Sequence, residues 1–332
     1  MTIKELSEKL NISTSTISRV LNDKPGISDK TRELVFKAVK KEGVVSSGTY
    51  KNLPQTAPKF IGVIARRRKD EKNQVFFKYT LTQFQDIFID NGFIVVPLYF
   101  ENNEVDFSKV PISPGDFSGF IIRGQSIPSK SILALKKYSV PFVLLENNLA
   151  QTHVDCVICD DGEYEYQLTK RLISKSLSRV IHVTGPEHWY NNHERLMGYN
   201  KAMNDSGLEP EIYSMKDTTV DFGHEAFNLI KIKHDEKIGI TFVNDAMAIG
   251  FMHACKSKSY RIPENISITG FDDIPWASLS TPALTTVQIP TSQMGRIAAQ
   301  RLLDLIRNGG EEEGGPIRMV VTGKIIIRES CT

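Results

Sequence analysis

Long apolar runs are missing from this sequence of 332 residues. A transmembrane helix needs an apolar run of about 18 residues or more, so no membrane-spanning segment and no membrane partner are expected. The first residues, at 1–5, are already amphipathic and lack the apolar core of a signal peptide. We therefore expect a cytoplasmic protein.

Cysteine is scarce, with four residues in the chain. Cys156 and Cys159 have the spacing of half a zinc site, but a second cysteine pair or a nearby histidine pair is missing. The two residues also lie in an apolar run that indicates a strand. Because structural zinc sites need four close ligands, no metal site is expected.

The glycine motifs of several enzyme classes are also missing. No Gly-x-Gly-x-x-Gly follows a strand and no Walker loop occurs, which disfavours dinucleotide and phosphoryl chemistry. The Gly-x-Ser-x-Gly turn of hydrolases is absent as well. We expect no catalytic residues, no cofactor and no enzyme activity. Carboxylates can also act as acid–base catalysts, and a turnover assay discriminates between an enzyme and a binding protein.

The charge is unevenly distributed along the chain. Residues 1–59 contain 11 Lys/Arg and 6 Asp/Glu, a net charge of +5, whereas the remainder contains 30 and 33, a net charge of −3. A basic head on a slightly acidic body favours a negatively charged partner at one end of the protein. A solvated helical surface is the alternative explanation.

Three short helices are predicted within the first 42 residues. Thr2 and Glu5 form a capping box for the first helix. Ser13 caps the second helix, which runs to about Asn22, and Ser28 starts the third. The side chains expected in the core of this head are Ile3, Leu6, Leu10, Ile17, Val20, Leu21, Leu34, Val35, Ala38 and Val39. Two short helices, a turn of about three residues and a bracing helix indicate a helix-turn-helix.

The second helix presents hydroxyl side chains and one arginine on its outer face. A major groove about 12 Å wide admits such a helix, and arginine reads guanine O6 and N7 with two hydrogen bonds. Polar residues at helix ends suit phosphate contacts. The predicted DNA contacts in these helices are Ser13, Thr14, Ser15, Thr16, Ser18, Arg19, Asn22, Lys30 and Thr31.

This head resembles that of the lactose-repressor (LacI/GalR) family of bacterial transcription regulators. The resemblance lies in the segments at 3–7, 11–22 and 28–32. It implies that the head binds an operator in double-stranded DNA. A plain solvated helix is the alternative for the Ser/Thr-rich face.

Residues 44–59 have the composition of a linker, with a Ser-Ser-Gly run at 46–48 and prolines at 54 and 58. In the family that the head resembles, this stretch forms a hinge helix whose leucine enters the minor groove. Leu53 matches that leucine by its spacing from the third helix, so the resemblance implies that Leu53 also contacts DNA. The alternative is that Leu53 is a linker residue without a special role. Gly48 costs about 1 kcal/mol relative to Ala inside a helix. We expect residues 47–53 to be disordered in the free protein and helical only on DNA.

From residue 60 onward, apolar strands alternate with helical stretches. The predicted strands are 60–65, 93–97, 119–122, 141–145, 154–159, 179–183, 239–243 and 267–271, and one helix is placed at about 77–91. Such alternation indicates parallel sheets covered by helices on both faces. The number of units predicts two doubly wound lobes.

Polar residues follow several of these strands, where ligands bind in doubly wound sheets. They are Arg123, Glu146, Asn244–Asp245 and Asp272–Asp273. Arg195 starts a helix after a Gly-Pro loop. Converging carboxylates, an amide and a guanidinium suit the hydroxyl groups of a sugar. Two alternatives stay open: the Asp272–Asp273 pair caps a loop, or Arg195 forms a salt bridge at its helix start.

The body also resembles the LacI/GalR family, in the segments at 195–199, 244–250, 262–267, 270–273 and 282–287. The resemblance implies a periplasmic-binding-protein-like α/β body with an effector in the cleft between its lobes. The implied effector contacts are Phe77, Arg123, Glu146, Arg195, Asn244 and Asp272, with Trp189 and Asn191 at a position that varies with the ligand. Trp189 either stacks on a sugar or packs a lobe edge.

The predicted organisation is a helix-turn-helix domain at 1–43, a linker at 44–59 and an effector-binding and dimerisation domain at 60–332. Its N-lobe comprises about 60–160 and 290–317, and its C-lobe about 161–289 and 318–330. The predicted protein represses carbohydrate-utilisation genes as a homodimer, or as a tetramer, on a pseudo-palindromic operator. Its partners are operator DNA and a small sugar-like effector. The alternatives are a sugar-binding protein or sugar-active enzyme without operator specificity, and a regulator that senses a nucleobase or phosphosugar.

Overall fold

The chain divides into two units. The computed structural model describes residues 3–21, 26–42, 59–66, 84–101, 104–108, 110, 112–149, 153–175, 177–233, 236–309 and 315–332. Unit 1 comprises Met1–Ile158 and Thr291–Met319, and unit 2 comprises Cys159–Pro290 and Val320–Thr332. The chain therefore passes from one unit to the other three times.

Unit 1 begins with three helices. They are α1 (Ile3–Leu10), α2 (Thr14–Leu21) and α3 (Asp29–Glu42). The side chains of Leu6, Ile17, Val20 and Val35 have no solvent exposure, which confirms these predicted core positions. Leu34 was predicted to be buried, and that prediction is wrong because its side chain is 46% exposed. Successive helical residues point about 100° apart, so the burial of Val35 turns its neighbour outward.

Several predictions for the head, the linker and the first helix of the body lie outside the described residues or side chains. They concern the capping box of Thr2 and Glu5, the core positions Ile3, Leu21 and Val39, the linker conformation at 47–53 and the helix start at 77–83. Residues 84–90 are helical and form α4.

The rest of unit 1 is a seven-stranded sheet with flanking helices. Its strands are β1 (Lys59–Arg66), β2 (Phe93–Glu101), β3 (Glu104–Asp106), β4 (Phe117–Arg123), β5 (Phe142–Leu145), β6 (Cys156–Cys159) and β12 (Arg318–Val321). Their order is β12-β6-β5-β4-β1-β2-β3. The pairs β1–β2, β1–β4, β4–β5 and β5–β6 are parallel, and β3 joins β2 antiparallel at the edge. The helices of this part are α4 at 84–90, α5 (Ser129–Leu133) and α11 (Thr291–Arg307).

Unit 2 contains a four-stranded parallel sheet. Its strands are β7 (Arg179–Thr184), β8 (Glu211–Ser214), β9 (Ile238–Phe242) and β10 (Ile266–Thr269), in the order β10-β9-β7-β8. Its helices are α6 (Asp161–Ile173), α7 (Tyr190–Asn204), α8 (Val220–Leu229), α9 (Asp245–Ser257) and α10 (Pro275–Leu279). A separate antiparallel pair consists of β11 (Thr286–Gln288) and β13 (Lys324–Ile326).

The central strands of both units are buried along their length. Strands β5, β6, β9 and β10 have no half-exposed residue, and β1 is exposed only at its two ends. Burial on both faces follows from helices that cover both sides of a parallel sheet. This confirms the predicted α/β body of two parallel-sheet lobes behind an all-α head. Among the described residues, no helix combines the length and apolar character needed to cross a membrane.

A buried ion pair joins three segments of unit 1. Nε of Arg301 on α11 donates to Oδ1 of Asp155 at 2.6 Å, and the backbone N–H of Ile317 donates to the same oxygen at 3.1 Å. Both charged side chains are less than a tenth exposed. Asp155 therefore fixes α11 and the residues before β12 against the start of β6.

Candidate functional site

The outer face of α2 starts at a capped helix end. The backbone N–H of Thr16 donates to Oγ of Ser13 at 3.1 Å, so Ser13 is the predicted N-cap. The hydroxyl oxygens of Ser15 and Thr16 lie 2.9 and 2.7 Å from the same atom. Ser13, Thr14 and Ser15 are exposed, and Thr16 is half-buried. A row of hydroxyl groups is thus available to a ligand at this helix start.

The start of α3 repeats this arrangement. The backbone N–H of Thr31 donates to Oγ of Ser28 at 3.2 Å, which confirms Ser28 as the start of the third helix. Lys30 is exposed and Thr31 is half-buried beside it. A cation and free N–H groups at a helix N-terminus suit an anion such as a DNA phosphate. The side chains of Ser18 and Arg19, and the residues Asn22 and Leu53, lie outside the described part of the chain.

Unit 2 holds a buried arginine between two carboxylates. Nε of Arg195 donates to Oδ1 of Asp161 at 2.8 Å, and its Nη2 lies 2.6 Å from that oxygen. The same Nη2 lies 3.4 Å from Oδ1 of Asp272. Nη1 donates to the carbonyl of Val243, and the guanidinium carbon lies 3.6 Å from the centroid of the Phe271 ring. We call Asp161, Arg195, Phe271 and Asp272 the arginine cluster.

Two glycines bring the arginine cluster together. Helices α6 and α7 approach so closely that a Cβ on Gly198 would lie 2.1 Å from the carbonyl oxygen of Gly162. These glycines are neighbours of Asp161 and Arg195 on the two helices. Close backbone contact thus places the carboxylate within reach of the guanidinium.

The charge of Arg195 is secured by its partners. Burial opposes the charged form, but the carboxylates of Asp161 and Asp272 outweigh it, so the pKa of Arg195 is raised above its usual value. The predicted alternative of a salt bridge is therefore right for the ion pair, but its placement at the helix start is wrong, because α7 begins at Tyr190 and Arg195 lies in its second turn. Arg195 orients the carboxylate of Asp272, whose side chain is 25% exposed.

Two of the predicted effector contacts have unusual backbone conformations. Asp272 has φ of +108° and Glu146 has φ of +58°. Residues other than glycine rarely occupy this left-handed region, and those that do are concentrated at functional sites. Glu146 directly follows β5, and Asp272 lies in the short loop after β10.

Arg123 and Glu146 form an ion pair in unit 1. Nη2 of Arg123 lies 2.9 Å from Oε2 of Glu146 and 3.2 Å from its Oε1. The pairing of Arg123 with Leu145 across β4 and β5 puts these two side chains at the same sheet edge. This carboxyl edge is where a parallel sheet binds ligands. Phe77, also expected in this unit, lies outside the described residues.

The remaining predicted contacts differ in their roles. Asn244 caps α9: its Oδ1 accepts from the backbone N–H of Met247 at 3.0 Å and its Nδ2 donates to the carbonyl of Thr218 at 2.9 Å. Trp189 is 4% exposed, which favours packing over stacking on a ligand. Oδ1 of Asn191 is buried and accepts no hydrogen bond from the described residues. Such an acceptor calls for a water or ligand donor.

Asp161 is a site residue that the sequence reasoning missed. It follows β6 directly, after Asp160, so the rule applied to the other strand ends would have found it. Its acidic neighbours at a helix start instead suggest an ordinary first helical turn, where carboxylates are common.

Cys156 and Cys159 are not arranged as metal ligands. They are three residues apart in β6, which places their side chains on opposite faces of the strand. Burial raises the pKa of Cys156 to about 11 and that of Cys159 to about 12, so both stay as thiols. Among the described residues, no group of three His, Cys, Asp or Glu side chains has the geometry to hold a metal ion.

Two protein families match the head and the body separately. Residues 2–43 match "Bacterial regulatory proteins, lacI family". Residues 169–331 match "Periplasmic binding protein-like domain". The chain belongs to the LacI family.

Curated members of the LacI family match along the whole chain. The Bacillus subtilis protein "Probable HTH-type transcriptional repressor ExuR" is 24% identical over 99% of this chain and 98% of its own length. The Escherichia coli "HTH-type transcriptional repressor PurR" is 26% identical over 99% of this chain and 96% of its own. This LacI-family chain is accordingly a transcriptional regulator and not an enzyme.

Solved structures of LacI-family regulators share the fold. A CelR–cellobiose complex has a TM-score of 0.68 at 23% identity and covers 99% of both chains. CcpA of Lactococcus lactis has a TM-score of 0.70 at 20% identity, over 83% of this chain and all of its own. A LacI-family regulator from Enterococcus faecium with bound ribose has a TM-score of 0.66 at 22% identity, over 82% and 98%.

The arginine cluster predicts that Arg195→Ala is destabilising rather than silent. The variant leaves the buried carboxylate of Asp161 without its guanidinium, and a buried ion pair that loses one partner costs about 3–5 kcal/mol. Urea unfolding followed by circular dichroism measures the loss. Arg307→Ala is the control, because Arg307 is 57% exposed and its pair with Asp304 contributes at most about 1 kcal/mol. Equal stability of the two variants would contradict a structural role for the cluster.

Proposed function

We propose that this protein represses carbohydrate-utilisation genes in the cytoplasm and responds to a small sugar-like effector. A dimer binds a pseudo-palindromic operator through its helix-turn-helix heads, and the effector alters operator affinity. The observation that carries the effector proposal is the arginine cluster, which presents a carboxylate beyond a strand end of unit 2.

The head supports DNA binding through shape and charge. The hydroxyl side chains at the start of α2 are short enough for a helix to enter a major groove, and the head carries a net charge of +5 in residues 1–59. The caps at Ser13 and Ser28 order two helix starts that suit phosphates. The DNA contacts proposed are those predicted from the sequence.

Hydrogen-bond chemistry supports a sugar as effector. The partly exposed carboxylate of Asp272 and the unsatisfied Oδ1 of Asn191 both accept hydrogen bonds, and sugar hydroxyls donate them. The Arg123–Glu146 pair offers further polar atoms at the corresponding edge of unit 1. Two structures of the same fold contain cellobiose and ribose. A site between the lobes, with Phe77 among its contacts, stays a prediction.

An exposed apolar surface on α10 supports dimerisation. Trp276 and Leu279 are 53% and 75% exposed, and their spacing of three residues puts them on one face of the helix. Large apolar side chains in water favour association with a complementary surface. We propose that α10 of one protomer contributes to the contact with its partner. A two-fold dimer then places two heads on two half-sites.

The effector acts through a difference in affinity. A ligand shifts an equilibrium between two arrangements of a protein only if it binds one of them more tightly. A coupling between effector and operator of 1–3 kcal/mol is typical of such regulators. Asp272 and Glu146 lie at strand ends in strained backbone conformations, so ligand contacts there act on segments with few alternative conformations.

The proposal predicts that Arg19→Ala weakens operator binding without affecting the body. Loss of a bidentate contact to guanine costs about 1–3 kcal/mol and relaxes the preference at that base pair. Fluorescence anisotropy with an operator selected from genomic fragments measures the loss. The control is Arg307→Ala on α11, which removes the same charge far from the head in sequence and leaves operator affinity unchanged. If Arg19→Ala and Arg307→Ala lose operator affinity equally, Arg19 makes no specific contact with a base.

The proposal also predicts that Leu279→Glu weakens the dimer. A charge in an apolar interface is costly because it loses water without gaining a partner. Light scattering after size exclusion measures the mass across a concentration series, and the variant is expected to become monomeric at concentrations where the wild type is dimeric. Met197→Glu on α7 is the control, since Met197 is 54% exposed. A variant that stays dimeric would place the interface elsewhere.

A further inference from the structure

Asp245 is a fully buried carboxyl group in the first turn of α9. Its Oδ1 accepts from Oγ1 of Thr286 on β11 at 2.6 Å, and its Oδ2 accepts from the backbone N–H of Ile274 at 2.9 Å. Its own backbone N–H donates to the carbonyl of Phe271 at 2.8 Å. One residue therefore connects α9, β11 and the loop that contains Asp272.

Gly270 leaves the space that Asp245 fills. A Cβ on Gly270 would lie 2.3 Å from Oδ1 of Asp245, closer than real Cβ contacts allow. Glycine at this position is thus explained by the carboxyl group beside it. The backbone N–H of Gly270 still donates to the carbonyl of Thr285 at 2.9 Å, so the strand end stays attached to the segment before β11.

The two residues after Phe271 have left-handed backbones. Asp272 has φ of +108° and Asp273 has φ of +53°. Such conformations persist only where surrounding contacts impose them. Asp273 is held by Nη2 of Arg328 at 2.7 Å and by Nε2 of Gln288 at 2.9 Å. Asp245 supplies the contacts on either side of the pair, at Phe271 and Ile274.

We propose that Asp245 is the positioning residue of the effector site. It holds the turn at 270–274 in the conformation that presents Asp272 to Arg195 and to the effector. The inference rests on the proposed function for its effector, but its structural part concerns unit 2 alone. Asp245 touches no ligand itself and acts through Asp272.

The charged groups around Asp245 indicate the protonation state in which it holds the turn at 270–274. Burial, and then the nearby carboxylate of Asp272, raise the pKa of Asp245 well above its usual value; Asp273 adds to this effect, while the hydrogen bonds from Thr286 and Ile274 oppose it. Arg195 and Arg328 face the site through their ion pairs with Asp272 and Asp273. The neutral carboxyl group is therefore the form that the fold favours.

This assignment fixes the sign of a pH effect. A group whose pKa is raised on folding adds stability that is fully present below its unfolded pKa of about 4 and is lost as pH rises through the folded value. Asp245→Asn keeps the shape of the neutral acid and does not ionise: its amide oxygen accepts from the N–H of Ile274, and its NH2 group donates to Oγ1 of Thr286, which accepts as well as donates. The variant is expected to lack this loss of stability between pH 4 and the folded pKa.

The test compares Asp245→Asn with Asp245→Ala in the full chain. Crystal structures report the φ of residue 272 and the Arg195–Asp272 contact, and urea unfolding across pH reports the linkage. Asp245→Asn is expected to keep the φ of residue 272 and the Arg195–Asp272 contact. Asp245→Ala is expected to lose the φ of residue 272 and the Arg195–Asp272 contact, because the carboxyl group no longer accepts hydrogen bonds from Ile274 and Thr286. Asp221→Ala is the control, since Asp221 is an exposed acid in the first turn of α8.

Binding of D-ribose and cellobiose, by calorimetry, supplies the functional measurement. A wild-type affinity for either sugar is expected to fall by about tenfold or more in Asp245→Ala and to stay within about twofold in Asp245→Asn.

The positioning role is overturned if Asp245→Ala keeps Asp272 near φ of +108° and against Arg195. If Asp245→Asn shows the wild-type dependence of stability on pH, the neutral form assigned to Asp245 is overturned. Where the alanine variant does not fold, the positioning role is overturned if Asp245→Asn keeps Asp272 against Arg195 but loses about tenfold or more in sugar affinity, because the carboxyl group would then act on the ligand directly. If the geometry changes as expected but neither sugar binds the wild type, the positioning role stands and ribose and cellobiose are excluded as effectors.

Discussion

The structure of unit 2 depends on a buried cation that needs carboxylate partners. Arg195 is 2% exposed, and a buried guanidinium is tolerated only where charges and hydrogen bonds compensate for lost water. Asp161 from α6 and Asp272 from the loop after β10 supply that compensation. The fold must therefore deliver two helices and a strand end to one point. We propose that the same requirement shapes the effector site.

The elements predicted from local signals agree well with the structure. Ser13 and Ser28 were predicted as helix caps because a cap involves only residues three apart, and both make the expected hydrogen bond. The apolar strands were predicted because burial on both faces leaves a continuous run of apolar residues. Five short strands were not predicted: β3, β8, β11, β12 and β13. They have three or four residues and lie at sheet edges or in a separate pair.

The candidate site was predicted less completely because it depends on contacts distant in sequence. Asp161 meets Arg195 only because Gly162 and Gly198 let two helices approach, and no local pattern encodes that approach. Asn244 was predicted as a ligand contact, and that stays a prediction: its Oδ1 caps α9, while its Nδ2 donates to the carbonyl of Thr218. Strand-end position thus predicts the edge of the sheet where a ligand is expected, whereas the hydrogen bonds in the structure decide which polar atoms at that edge already have a protein partner.

The central claim is that Asp272, held by Arg195, accepts hydrogen bonds from a sugar effector. Titration calorimetry of pentoses, hexoses and disaccharides into the wild type and into Asp272→Asn tests it most directly. The account predicts that at least one sugar binds the wild type and that its affinity falls by about tenfold or more in the variant, because a charged hydrogen bond is lost. Sugar binding of equal strength to both proteins, or binding to neither, would contradict it.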